Sequence, residues 1–311
     1  MEEWFREQPG AVLSTTFDKY CYVEVRHLPR FFDYASELIY SKVERVKNRE
    51  EILHPAIRNA MLQTDTDHIR LSYDADLPAR TGLGTSSSFA VGMLSAFHAL
   101  KGEYAGRRQL ADEAIHLERV LCAEAGGWQD QIAVAYGGLN RISFGPEGYE
   151  VAPVVMSARR KKALNDNLQM YFTGFARFSS EIQKANNAEK RQDKKRILQE
   201  MYMLVNEAEK ILAYEKADLN EIGRLLDLTW RLKRRTGSAI TTSGIDTIYE
   251  RGIAAGADGG KLLGAGGGGF LVFYVRPEYH EAVRRAMSDY MYIPFSFEKA
   301  GTQIIHYDPE D

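Results

Sequence analysis

From Ser86 to Leu100 the apolar residues Phe89, Met93, Phe97 and Leu100 recur at steps of three and four, which predicts a helix. The stretch "RRQLADEAIHLERVLCAE" (107–124) has the same period and predicts a second, ended by Gly126-Gly127. A third helix is predicted from Gln129 to Gly137-Gly138. Elsewhere the pattern is strand-like. Residues 11–25 are rich in β-branched and aromatic types and predict two strands around Asp18-Lys19, and residues 68–74 alternate. "LNRISF" and "YEVAPVV" predict paired strands around Gly145-Pro146.

The second half opens with a predicted strand, "LQMYFTG" (168–174). A charged stretch, 184–200, follows and reads as a solvated helix face or a mobile loop. Helices are predicted near 200–215 and 219–235, then another helix and a glycine loop. Strand "FLVFYV" (270–275), helix "PEYHEAVRRAMSDY" and strands near 294–299 and 302–307 complete the pattern. This irregular mixture predicts an α+β protein rather than a doubly wound parallel sheet. We expect two domains, 1–155 and 156–311.

Composition narrows the picture. The 311 residues carry a formal net charge of -3, which gives no global case for nucleic acid or an anionic membrane. Any positive site must be local. Two cysteines, Cys21 and Cys122, cannot build a disulfide framework and fit a reducing, cytoplasmic setting. The start "MEEWFREQPG" lacks the apolar core of a signal peptide. No apolar run approaches the roughly 20 residues that span a bilayer.

Candidate chemistry begins in "DLPARTGLGTSSSFAVGML" (76–94). A helix start exposes unpaired N–H groups and a partial positive charge, and both favour an anion. Gly82 and Gly84 permit positive φ, so the backbone can curl around a ligand. Thr85, Ser86, Ser87 and Ser88 add hydroxyls that can meet phosphate oxygens or a metal ion. A single serine N-cap is the simpler explanation, but one serine suffices for that and the others would compete with helix formation. The spacing is neither a Walker A loop nor a dinucleotide fingerprint.

Two acids come next. The helical period sets Glu118 on or beside the apolar face, where an unpaired carboxylate is costly. It should therefore pair with an arginine, Arg119 or Arg108, or bind a cation. Asp130, in "GGWQDQ" (126–131), is either a helix-capping residue or a catalytic acid. A late run, "GGKLLGAGGGGFLVFYV" (259–275), reads as a turn or as close backbone packing. It precedes a strand, the reverse of a Rossmann order.

The segment from Pro78 through Gly82-Leu83-Gly84-Thr85-Ser86-Ser87 resembles the phosphate-binding motif of the GHMP kinases, with threonine where that family usually has serine. The late run resembles the family's C-terminal motif. "YSKVERV", "GGWQDQIAVAYGGLN" and "YFTGFARFSSEI" stand in family order, so the likeness covers nearly the whole chain. Within the superfamily the finer resemblance is to kinases of D-glycero-D-manno-heptose 7-phosphate, with fucokinase kinase domains as near relatives. It implies an N-terminal ribosomal-protein-S5-like domain, a C-terminal ferredoxin-like α/β domain, and ATP and Mg²⁺ as cofactors. Residues 82–88 would wrap the nucleotide phosphates, Ser86 and Glu118 would hold Mg²⁺, and Asp130, in Gly127-x-x-Asp130, would be the base. For the substrate phosphate the candidates are Arg177 (otherwise a surface arginine), Thr173, and, as close backbone approaches, Gly266 and Gly267. Lys233 is a weaker candidate that reads as a solvated helix end. The implied partners are a sugar phosphate and ATP, with a homodimer possible.

One family feature has no counterpart in this sequence. Family members carry a first strand and glycine-rich turn, approximately "APLRISFAGGGTD", upstream of the segment matching "PGAVLST". A mis-assigned start, a truncation or a loss of activity would each account for the difference. The chain as given is expected to phosphorylate poorly. The competing reading is a non-catalytic sugar- and ATP-binding sensor.

Overall fold

The structure is a computed structural model that describes residues 5–79, 81–174, 191–237 and 240–308. The first elements are β1 (Gly10–Ser14), β2 (Thr16–Phe17), β3 (Cys21–His27), β4 (Ser36–Ile39), β5 (Val43–Val46), α1 (Pro55–Gln63) and β6 (Ile69–Ala75). Next come α2 (Thr85–Leu100), α3 (Arg107–His116), α4 (Gln129–Tyr136), β7 (Asn140–Gly145), β8 (Gly148–Pro153), α5 (Ala158–Asp166) and β9 (Leu168–Phe172). The remainder are α6 (Arg191–Ala213), α7 (Glu221–Arg234), α8 (Ser243–Ala254), β10 (Ala257–Leu262), β11 (Phe270–Val275), α9 (His280–Ala286), β12 (Met291–Ile293) and β13 (Phe297–Glu298).

The chain forms two compact units, and they do not follow a single cut near residue 155. One holds residues 16–79, 84–138 and 298 onward; the other holds residues up to 15, 80–83 and 139–297. The reason is strand pairing. β1 pairs antiparallel with β7, and β7 with β8, so both ends of the first half join the second unit.

In the first unit a four-stranded sheet runs in the order β3-β6-β4-β5. β3 and β6 are antiparallel from Cys21↔Ala75 to His27↔Ile69, and β4 lies parallel to β6. Of the apolar stripe foreseen on α2, Phe89, Met93 and Phe97 are buried and Leu100 is half-buried; Ala90, Val91 and Leu94 are buried beside them. Gly92 lets α2 approach β3, where an added Cβ would stand 3.4 Å from Val23 Cγ2. The predicted helix 107–124 is α-helical only to His116 and then widens into a π turn, with Cys122 N–H donating to Leu117 O at 2.9 Å. Such turns recur at functional sites, and this one carries Glu118.

In the second unit a four-stranded antiparallel sheet runs β10-β11-β9-β12. β11, "FLVFYV", is buried at every residue because helices cover both its faces. Leu271, Phe273 and Val275 pack with Ile245 and Ile248 of α8 and Val283 of α9. Tyr274 packs with Leu164 of α5, Leu212 of α6 and Ile222 of α7. Each large side chain fully buried this way contributes roughly 1.5–3 kcal/mol.

The strand expected near 294–299 forms as β13, whereas none forms over 302–307; Tyr20 Oη donates to Glu298 Oε2 at 2.6 Å. Cys21 and Cys122 are free thiols. No helix among the described residues is long and apolar enough to cross a membrane.

Candidate active site

The early glycine loop leads straight into α2. Gly84 is its N-cap, in the left-handed region at φ +73°, and no side chain caps the helix. The first intrahelical bond is Ser88 N–H to Gly84 O, 2.8 Å. The N–H groups of Gly84 to Ser87 therefore lack intrahelical acceptors. The serine N-cap explanation fails, because the hydroxyls sit on the first turn and not at the cap.

Those hydroxyls diverge. Ser86 is exposed, whereas Ser87 is buried. Ser87 Oγ donates to Glu118 Oε2 at 3.0 Å and makes a longer contact of 3.4 Å to Oε1. Glu118 itself is only 5% exposed. Gln131 Nε2, on α4, donates to the same Oε2. Neither arginine weighed from the sequence pairs with it: Arg108 binds Asp112 and Arg119 donates to Glu124 O. Burial is the main cause that pushes the Glu118 carboxyl up to about 7, against the lowering effect of its hydrogen bonds. All its donors are neutral, so no neighbouring cation cancels its charge when it ionises. Three or more acidic, histidine or cysteine side chains never cluster for a metal among the described residues. One carboxylate with hydroxyls suits Mg²⁺, which takes few protein ligands and fills its shell with phosphate oxygens and water.

Asp130 lies in the first turn of α4 and is exposed. A Cβ on Gly84 would stand 3.6 Å from Asp130 Cβ and 3.9 Å from Oδ2. Glycine at 84 thus both permits the left-handed turn and leaves the Asp130 carboxylate beside the helix start. The adjacent residues Asp130 and Gln131 point differently, one toward Gly84 and the other toward Glu118. Sequence reasoning misses Gln131; its spacing from Glu118 across two segments gives no local signal.

In the other unit the late glycine loop follows β10. Here the expected close approaches are reassigned. Gly264 and Gly269 meet the early loop: a Cβ on either would overlap Gly82 Cα or Thr81 O. Gly266 and Gly267 instead pack on Ile240, with Gly267 N–H donating to Ile240 O at 2.9 Å. Thr173 is buried, and its hydroxyl donates to Gly269 O at 3.0 Å and accepts from Gly269 N–H at 3.1 Å. It anchors the loop. Lys233 is no solvated helix end; its Nζ donates to Leu262 O at 3.2 Å and to Gly264 O. Arg177 lies outside the described residues.

Comparison with known proteins matches residues 50–138 to the GHMP kinases N terminal domain and residues 209–293 to the GHMP kinases C terminal model. The D-glycero-alpha-D-manno-heptose 7-phosphate kinase of Campylobacter jejuni is 30% identical over 237 residues, 74% of this chain and 68% of that protein. The bifunctional fucokinase/GDP-fucose pyrophosphorylase of Arabidopsis thaliana is 24% identical over 78% of this chain, which spans 24% of that longer protein. The crystal structure of a D-glycero-D-manno-heptose 1-phosphate kinase from Bacteroides thetaiotaomicron superposes with a TM-score of 0.73 at 22% identity, covering 94% of this chain and 89% of that one. With the uncapped helix start, its hydroxyls and its two acids, these matches establish that the chain belongs to the GHMP kinases, a family of ATP-dependent phosphotransferases.

Proposed function

We propose that the chain is a sugar kinase that transfers the γ-phosphoryl group of ATP to the anomeric hydroxyl of D-glycero-D-manno-heptose 7-phosphate. The products would be the 1,7-bisphosphate, for nucleotide-heptose biosynthesis, and ADP. The choice of sugar rests on the 30% identity to the Campylobacter kinase. The choice of chemistry rests on one observation: the start of α2 has open N–H groups, Glu118 tied to it through Ser87, and Asp130 against Gly84.

In this reading the N–H groups of residues 84–87 bind the nucleotide phosphates, aided by the helix dipole. Ser86 and Glu118 hold Mg²⁺, which when bound neutralises charge on those phosphates. Asp130 accepts the proton of the sugar hydroxyl and orients its oxygen toward the γ-phosphorus. Thr85 and Ser88 line the same turn. Phosphoryl transfer depends mostly on positioning and charge neutralisation, so this short constellation suffices.

A panel of sugars and sugar phosphates, assayed by ADP release and by mass of the product, tests the proposal. Heptose 7-phosphate should give the highest kcat/KM. The two fucokinase relatives, at 24% and 27% identity, make L-fucose the arm that would replace it. Turnover of fucose above the heptose would move the substrate, and ATP cleavage with no sugar product would refute the kinase reading.

A further inference from the structure

Gln131 is almost wholly buried, 4% exposed, and half of its amide is unaccounted for. Its Nε2 donates to Glu118 Oε2, but its Oε1 has no hydrogen-bond partner among the described residues. A buried amide oxygen left so costs about 1–3 kcal/mol, so it is retained for a reason or filled by water. The pattern around Glu118 is equally lopsided. Oε2 receives both the 3.0 Å bond from Ser87 and the bond from Gln131, while Oε1 has only the 3.4 Å contact with Ser87. Two neutral donors thus fix one oxygen and leave the other open, without cancelling the charge. A lysine or arginine in place of Gln131 would hold the carboxylate as firmly but remove its value to a cation.

We propose that Gln131 is a positioning residue for the cation: its amide N–H pins Glu118 Oε2 so that Oε1 faces the ion, and its unpartnered Oε1 accepts a hydrogen bond from a water on that ion. This rests on the reading of Glu118 as a cation ligand. It accords with the general rule that groups behind a ligand orient it, and that losing one costs 10- to 100-fold in metal affinity. Magnesium-type ions keep several waters, so a nearby buried acceptor has a ready partner. It also explains why consecutive residues of one short helix are both polar: Asp130 serves the reacting hydroxyl and Gln131 serves the ion.

The test measures Mn²⁺ affinity by electron paramagnetic resonance, with the non-hydrolysable ATP analogue AMPPNP present. The intact chain is compared with Gln131→Met, which keeps length and approximate volume but removes both polar atoms, and with Glu118→Ala. Gln131→Met should weaken Mn²⁺ binding about tenfold. Its affinity for AMPPNP in EDTA should match that of the intact chain, and its kcat should be restored by excess Mg²⁺. If Gln131→Met does not fold, Gln131→Asn, with its shortened reach, should show the same weakening. Unchanged Mn²⁺ affinity in a folded Gln131 variant, beside a loss in Glu118→Ala, overturns the positioning role alone. Unchanged affinity in Glu118→Ala overturns the cation reading itself. A lower melting temperature with unaltered Mn²⁺ affinity would mark Gln131 as merely structural.

Discussion

The two glycine loops of this chain look alike in sequence and do different work. The early loop, Gly82 to Gly84, runs into α2, so its backbone ends in open N–H groups and the hydroxyls after it meet Glu118. The late loop, Gly264 to Gly269, runs into β11, whose backbone groups pair with β10 and β9. Its glycines are needed because neighbouring backbone occupies the space a Cβ would take, at Gly82, Ile240 and Thr81. Gly84 leaves open space beside Asp130, whereas Gly82 and the glycines of the second loop serve close backbone packing. The element that each loop enters, a helix start or a paired strand, decides between the two roles.

The sharpest way to break this contrast is at Asp130. Asp130→Asn preserves shape but removes the proposed base, and kcat should fall about 10²- to 10⁴-fold with the melting temperature unchanged. Undiminished product formation by this variant would strip Asp130 of its role.

Glu118 should show the cost of holding a buried charge. Its carboxyl ionises at the ordinary 4.5 in the unfolded chain and at about 7 in the folded one, chiefly through burial. Between those values the folded state retains a proton that the unfolded state has released, so stability falls as pH rises through the window and levels off above 7. The loss is about 3 kcal/mol. In EDTA, urea unfolding of Glu118→Gln should therefore gain on the intact chain at pH 8, with the gain vanishing toward pH 4.5. A pH-independent difference would contradict the burial argument.

At the glycines the two loops should separate. Gly264→Ala puts a Cβ into Gly82 backbone at φ +72°, and should cost about 2–4 kcal/mol in thermal or urea unfolding. Gly84→Ala meets Asp130 only at van der Waals distance, 3.6 Å, and should cost about 1–2 kcal/mol while reducing kcat more than Gly264→Ala does per unit of stability lost. Equal effects on stability and on turnover would erase the distinction. The smallest change is expected for Lys233→Met, about 1 kcal/mol, from the loss of bonds to the Leu262 and Gly264 carbonyls.

Legibility in the sequence divides along a similar line. α2, α4, β6 and β11 have clear periods and stand where the pattern places them. β5 does not, because its alternation is inverted: Val43 is 61% exposed while Glu44 is buried, accepting from Tyr40 Oη at 2.5 Å and Leu53 N–H at 2.6 Å. That contact also gives the "YSKVE" stretch a structural part. β10 reads as loop because of Gly259 and Gly260, yet a side chain at Gly259 would strike Gly223 O where α7 lies on the strand. The helix through Glu118 is legible but its π turn is not, since i→i+5 pairing leaves no mark in hydrophobic spacing. The early glycine loop and both acids can be picked out because each sits in a short motif. The Ser87–Glu118–Gln131 link cannot, for it joins three segments brought together only by folding.

The most direct test is a crystal structure of the chain with Mg²⁺ and AMPPNP. The account predicts phosphate oxygens within hydrogen-bond distance of the N–H groups of residues 84–87, the ion on Glu118 Oε1, and Asp130 facing the γ-phosphate. Nucleotide phosphates bound elsewhere, with the N–H groups at the start of α2 facing only solvent, would contradict it.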